Sequence, residues 1–209
     1  KALNHALYLV MEAKVTRPIL LVLALEQENH QQRLNSFADE LLYTGVGKVN
    51  ATLALTQKLA QMREKPLVIN VGSAGSHVFD AGQVVCASRF VQHDMNASAI
   101  GFAVGQTPFE TDIHLEHGLS VTHLPQATCF TGDRFVTEAH PHFELEVIDM
   151  EAYALAKVSR HFDTPFLCLK FITDGANGQA ANDWQQAVKL SAERLYEALS
   201  VGLPQLGFK

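Results

Sequence analysis

Residues Asp149–Asp174 read DMEAYALAKVSRHFDTPFLCLKFITD. Met150–Phe162 reads as a helix, and Pro165–Ile172 is an apolar run of strand length. A helix feeding a strand apolar on both faces is the repeating unit of an α/β sheet, since strands in such sheets are covered from both sides. Glu151 and Asp174 flank this unit. A fold that brings both to one sheet edge sets two acids beside the same small ligand. Breaking a bond between a sugar and a base uses such a pair, one acid for the sugar hydroxyls and one for the leaving group.

Working outward, the same alternation recurs. Pro18–Leu25 is a second continuous apolar run, and Val49–Met62 follows Gly45 and Gly47 as a helix. Leu67–Val71 is a short buried strand that ends at Gly72-Ser73-Ala74-Gly75, read here as a turn. Gln83–Phe90, Leu119–Leu124, Ala127–Phe130 and Leu145–Ile148 are further strands. Asn182–Ser200 is a closing amphipathic helix with Trp184, Val188, Leu195 and Leu199 on one face. The expected fold class is α/β: a single three-layer α/β/α domain with a central mixed, mostly parallel sheet over 18–209. Residues 1–17 form an N-terminal helical extension, with Leu3, Ala6, Leu7 and Val10 at helical spacing.

Composition narrows the function classes. A length of 209 residues suits one domain, and 47% hydrophobic with 18% charged residues excludes a disordered chain. A net charge of -6 without a run of Lys or Arg argues against a nucleic-acid groove. No apolar stretch reaches membrane-spanning length. Lys1–Arg17 has scattered charges and no secretory cleavage pattern. Cys86, Cys129 and Cys168 each lie in an apolar run, which suits buried reduced thiols in a cytoplasmic protein better than disulfides.

Several segments carry possible chemistry. The glycines of 72–75 let backbone approach a ligand and expose amides as donors. Gly45-Val46-Gly47-Lys48 lacks the spacing of a phosphate loop, and Val49 stands where Ser or Thr would hold magnesium. Glu26 and Glu28 follow the first strand at its carboxyl end, where open α/β sheets place ligands. His93-Asp94 has no second histidine at ligand spacing, so a structural pairing or strand-end turn is expected. His140 and His142 are weak metal candidates. No metal and no cofactor is expected. Phe135 and Trp184, taken singly, read as packing residues.

Together, in order, these segments resemble the 5'-methylthioadenosine/S-adenosylhomocysteine nucleosidase family of the wider nucleoside phosphorylase superfamily. The matching stretches are Ala24–Glu28, Thr44–Ala51, Ile69–Gly75, His93-Asp94 through Gly105–Pro108, Thr131–Phe135, Asp149–Ala152 and Ile172–Asp174. The resemblance implies a hydrolase that splits the N-glycosidic bond of an adenine nucleoside. Glu28 would activate the attacking water, and Asp174, supported by Thr173, would protonate adenine N7. Met150 and Glu151 would hold the ribose. Phe135 would stack on the base while the Val136 backbone reads its edge. Ser73, Ala74 and Gly75 would line the ligand side. The resemblance also implies a homodimer in which His93–Pro108 completes a neighbour's pocket.

The chain departs from the family pattern at several points. Lys170 replaces an Arg near the water and ribose, keeping the charge but losing the planar fork. Ser76 follows Gly75 where a second glycine is usual, and Ile100 takes the place of a Phe. The stretch after Pro108 is shortened. Trp184 replaces a Phe over the pocket for the 5'-substituent. These changes bear on the 5'-group more than on the glycosidic chemistry. A phosphorylase, a futalosine-type nucleosidase and a non-catalytic purine-binding protein are the alternatives.

Overall fold

Apolar runs buried on both faces must lie inside a sheet, and those of this chain do. The computed structural model describes residues 17–177 and 180–208. Within them run β1 (Ile19–Leu23), β2 (Glu40–Tyr43), α1 (Lys48–Gln61), β3 (Leu67–Gly75), β4 (Val84–Gln92), β5 (Leu115–Glu116) and β6 (Gly118–Leu119). They continue with β7 (Gln126–Thr131), β8 (Val147–Asp149), α2 (Ala152–His161), β9 (Phe166–Asp174) and α3 (Ala180–Gln205). A 3-10 segment, Glu26–Phe37, links β1 to β2 and is kinked at Asn29–Gln32. The N-terminal helix expected at Ala2–Ala13 lies outside the described residues.

β1 and β9 are buried at every position, which is why neither alternates in polarity. β1 pairs in parallel with both β2 and β3, and β3 pairs in parallel with β9 from Val68↔Phe166 onward. β9 then pairs antiparallel with β4, β4 parallel with β7, and β7 parallel with β8. β8 returns antiparallel to β3 through Gly75↔Ile148, so the sheet closes on itself. β6 adds to β9 in parallel and β5 to β4 antiparallel. The sheet is thus mixed with parallel pairings in the majority, and its closure is a feature that strand periodicity does not reveal.

Alternate residues of β1 feed two cores. Leu20 and Val22 pack with Ala51, Leu55 and Leu59 of α1 and Leu155 of α2. Ile19, Leu21 and Leu23 pack with Leu34 and with Leu195 and Leu199 of α3. Helices therefore cover the sheet from both sides. A third, smaller cluster of Val91, Phe130, Val136, Leu145 and Ile148 fills the space beside the site.

Two expectations need correction, and further elements are new. Gly72–Gly75 is not a turn but the last part of β3, held by β9 as far as Gly75↔Asp174. The strand expected at Leu119–Leu124 shrinks to Gly118–Leu119, because the Thr122 amide and hydroxyl turn to Gln205 of α3 instead of a neighbouring strand. Glu26–Phe37 and β2 carry no regular apolar period and are not apparent from the sequence.

Candidate active site

Residues from distant parts of the chain meet because the sheet edge gathers strand ends. β3 and β9 slip register between Ala74 and Gly75, so that Gly75 lies opposite Asp174. Gly75↔Ile148 then brings the end of β8, and with it Met150 and Glu151, to the same edge. A cavity of about 270 Å³ opens there. Glu28, Ser73, Ala74, Gly75, Phe135, Val136, Met150, Glu151, Thr173, Asp174 and Trp184 all line it. Of the residues that the resemblance assigns to water, ribose, base or 5'-group, Lys170 alone is absent from the lining.

Glu28 is buried, at 4% exposure, at the first turn of the 3-10 segment. Its Oε1 accepts the Ser73 amide at 2.8 Å and the Ser73 hydroxyl at 2.6 Å. Its Oε2 accepts the Leu25 amide at a longer 3.2 Å. Behind it, Asn29 holds the kinked backbone by accepting the Leu34 amide and donating to Asn35 and Tyr43. Charged acceptors take strong hydrogen bonds, and here they fix one rotamer of a long side chain.

Asp174 is also buried. Thr173 Oγ1 lies 2.7 Å from Oδ2 and 3.2 Å from the Ala74 carbonyl, while the Ala176 amide donates to Oδ1 at 2.9 Å. Gly75 is required by this approach: a Cβ there would stand 2.9 Å from Asp174 Oδ1. These contacts fix the place of the carboxyl.

Glu151 precedes α2, and its Oε1 accepts the amide of Gly47 at 2.9 Å. Gly47 adopts φ +96°, a conformation costly for any residue with a Cβ, and so aims its amide across the cavity. Burial first, and then the charge of Asp149, push the Glu151 carboxyl up to about 7, against the opposing pull of Lys170 and the Gly47 amide.

Lys170 occupies a different place from the one the resemblance implies. On β9 it shares a face with Cys168 and Ile172, which belong to the core under α1 and α2, and alternates with Leu169 and Phe171 of the opposite core. Its side chain is 2% exposed, and its ammonium meets Asp149 Oδ2 at 2.9 Å. Burial opposes the ammonium, but the Asp149 carboxylate holds its proton on, well above the usual lysine range. Burial likewise raises Asp149, yet Lys170 and the hydrogen bonds from Thr131 and Ala152 more than offset it and keep the carboxyl low. Asp149 accepts the Ala152 amide and Thr131 Oγ1 accepts that of Tyr153, so the first amides of α2 are satisfied by this buried hub.

Sequence reasoning missed three contributors. Asp149 carries no side-chain role in the sequence pattern, although it lies two residues before Glu151. Gly47 contributes only an amide, which no side-chain pattern announces. Arg134 lines the cavity and is paired with Glu138 at 3.4 Å. Asp94 accepts from Lys48 Nζ at 2.6 Å and from the Asp133 amide at 2.8 Å, a structural pairing that ties α1 to the segment carrying Phe135. Among the described residues no group of three His, Cys, Asp or Glu could hold a metal ion. Among them, too, no helix is long and apolar enough to cross a membrane. Cys86, Cys129 and Cys168 are free and buried, as read from the sequence.

The profile of the phosphorylase superfamily matches residues 41–200. A 5'-methylthioadenosine/S-adenosylhomocysteine nucleosidase of Geobacillus kaustophilus is 32% identical over 194 residues, covering 81% of this chain and 82% of that protein. The enzyme of that name from Hydrogenovibrio crunogenus is 31% identical over 187 residues, covering 79% and 80%. Among solved structures, a mutant Helicobacter pylori MTAN holding 5'-methylthioadenosine in its active site superposes with a TM-score of 0.80 at 21% identity, over 90% of this chain and 99% of that one. A mutant futalosine hydrolase of the same organism also gives 0.80, at 22% identity, over 91% and 100%. These likenesses establish a nucleoside phosphorylase-like α/β fold. By sequence over most of its length, the chain belongs to the phosphorylase superfamily and, within it, to the 5'-methylthioadenosine/S-adenosylhomocysteine nucleosidase family.

Proposed function

We propose that this chain hydrolyses the N-glycosidic bond of an adenine nucleoside of the 5'-methylthioadenosine/S-adenosylhomocysteine type and releases adenine. The observation that carries this reading is the convergence of Glu28, Glu151 and Asp174 on one cavity with Phe135 in its wall. Phe135 stacks on the purine, and the Val136 backbone reads its edge. Met150 and Glu151 hold the ribose, with the Glu151 carboxylate accepting its hydroxyls. Asp174 donates a proton to N7 and Thr173 keeps it aimed. The C1'–N9 electron pair leaves with the adenine, and the sugar takes on oxocarbenium character that nearby carboxylates stabilise. Glu28 removes a proton from water as the water oxygen bonds C1'. Acid-base steps of this kind contribute about 100- to 10,000-fold each.

Hydrolysis is favoured over phosphorolysis by charge. Glu28 and Glu151 line the cavity with carboxylates, while Arg134 is paired with Glu138 and Lys170 with Asp149. A phosphate dianion would meet net repulsion there. A futalosine-type nucleoside is the second reading, because the fold matches a futalosine hydrolase as well as it matches the MTAN.

The catalytic unit is residues 18–209, acting as a homodimer in which His93–Pro108 completes the neighbour's pocket. Exposed Ile100 lies in that segment, and exposed Phe109 directly follows it. Light scattering that finds only monomer at working concentration overturns the dimer. Activity is tested by free-base release from methylthioadenosine, S-adenosylhomocysteine, adenosine and a futalosine-type nucleoside, with and without phosphate. Phosphate-independent release from either of the first two is expected. Release that requires phosphate makes the chain a phosphorylase, and binding without turnover makes it a purine-binding protein.

A further inference from the structure

We infer that Trp184 is a positioning residue for the water-activating carboxylate, acting through the hydroxyl of Ser73. The inference rests on the role proposed for Glu28. The Trp184 indole Nε1 donates to Ser73 Oγ at 2.9 Å, and that hydroxyl donates to Glu28 Oε1 at 2.6 Å. A serine hydroxyl has one proton, whereas an indole N–H can only donate. Accepting from Trp184 therefore commits the Ser73 proton to Glu28 and prevents the hydroxyl from turning away. With the Ser73 amide also on Oε1 at 2.8 Å, that oxygen is occupied by two donors. Oε2, with one amide contact at 3.2 Å, is the less committed oxygen and takes the proton of water.

A second contact supports the same linkage. Ser191 Oγ, farther along α3, lies 3.2 Å from the carbonyl oxygen of Glu28. Helix α3 therefore touches Glu28 at its backbone and, through Trp184 and Ser73, at its carboxylate. A phenylalanine at 184 would preserve an apolar wall over the cavity but break the chain of donors. The tryptophan is thereby part of the catalytic alignment as well as of the wall.

The test is a double-mutant cycle on the full chain with Trp184→Phe, Ser73→Ala and the pair. One lost hydrogen bond in a buried site predicts a kcat about threefold to tenfold lower for Trp184→Phe, with KM within about twofold. In the Ser73→Ala background the same change should cost little more, because its route to Glu28 is already cut. Equal losses in both backgrounds, or a change confined to KM, make Trp184 a wall residue and overturn the inference. Trp184 is the only tryptophan, so its emission reads the bond without turnover. Ser73→Ala should shift the emission of the folded, substrate-free protein, and an unchanged spectrum overturns the bond even if Trp184→Phe fails to fold. Glu28→Gln is run alongside. Full activity there removes the base assignment, whereas an inactive Glu28→Gln beside an unaffected Trp184→Phe removes only the present inference.

Discussion

Glu151 faces opposite demands at the scale of a single side chain. In the proposed role it must be ionised to accept the sugar hydroxyls, yet burial and the neighbouring Asp149 raise its carboxyl to about 7. Substrate capture should therefore strengthen as pH rises through about 7. We expect kcat/KM to fall about tenfold per pH unit below that point, and Glu151→Gln to abolish this acid limb. A wild-type profile flat from about pH 5 to 8 would sink the assignment. The same shift has a cost in stability. The folded value lies above the ordinary glutamate value of 4.5, so the neutral form is favoured by folding and this contribution is lost as pH rises through about 7. Glu151→Gln should accordingly stabilise the fold more at pH ~8 than at pH ~5, by on the order of 1–3 kcal/mol at the upper pH. Calorimetry at the two pH values decides it.

Among elements, the β3–β9 pair does most to build the site. Its register slip sets Gly75 opposite Asp174, and the absent side chain of Gly75 is the room that Asp174 uses. In Gly75→Ala the new Cβ would lie 2.9 Å from Asp174 Oδ1 and 3.3 Å from the Ala176 Cβ. The carboxyl must shift, so we expect kcat to drop about 100-fold or more while the fold persists, in line with the sensitivity of acid-base steps to placement. Far-UV circular dichroism together with steady-state kinetics checks this, and wild-type turnover would remove the geometric requirement. Helix α2 has a comparable dependence on a buried hub. Asp149 and Thr131 accept its first amides, and Lys170 neutralises Asp149. The position of Glu151 is thus set by the buried hub of Lys170, Asp149 and Thr131 at the start of α2.

At the scale of the molecule, two cores of different neighbourhood sustain one site. Leu195 is fully buried between α3 and the sheet and takes no part in the cavity lining. Leu195→Ala should cost about 2–5 kcal/mol, read by urea denaturation, while kcat/KM of the folded fraction stays near wild type. A loss below about 1 kcal/mol would mean that this side of the core is loosely packed. The α/β class, the order of most elements and the three acids were legible in the chain, because burial on both faces writes continuous apolar runs and ordered motifs keep their residue types. Gly72–Gly75 misled, since glycines that serve a close approach inside a strand look like those of a turn. Glu26–Phe37 was missed because its kinked backbone has no period to detect. Lys170 shows the limit most plainly: its type fits a cation facing the ligand, but alternation along β9 turns it inward to Asp149. Sequence alone thus indicated the family and the three acids that line the cavity, since residue identity and order are local facts. Sheet closure, the register slip, the inward turn of Lys170 and the link from Trp184 to Glu28 were decided only in the folded molecule, because each depends on pairings between residues distant along the chain.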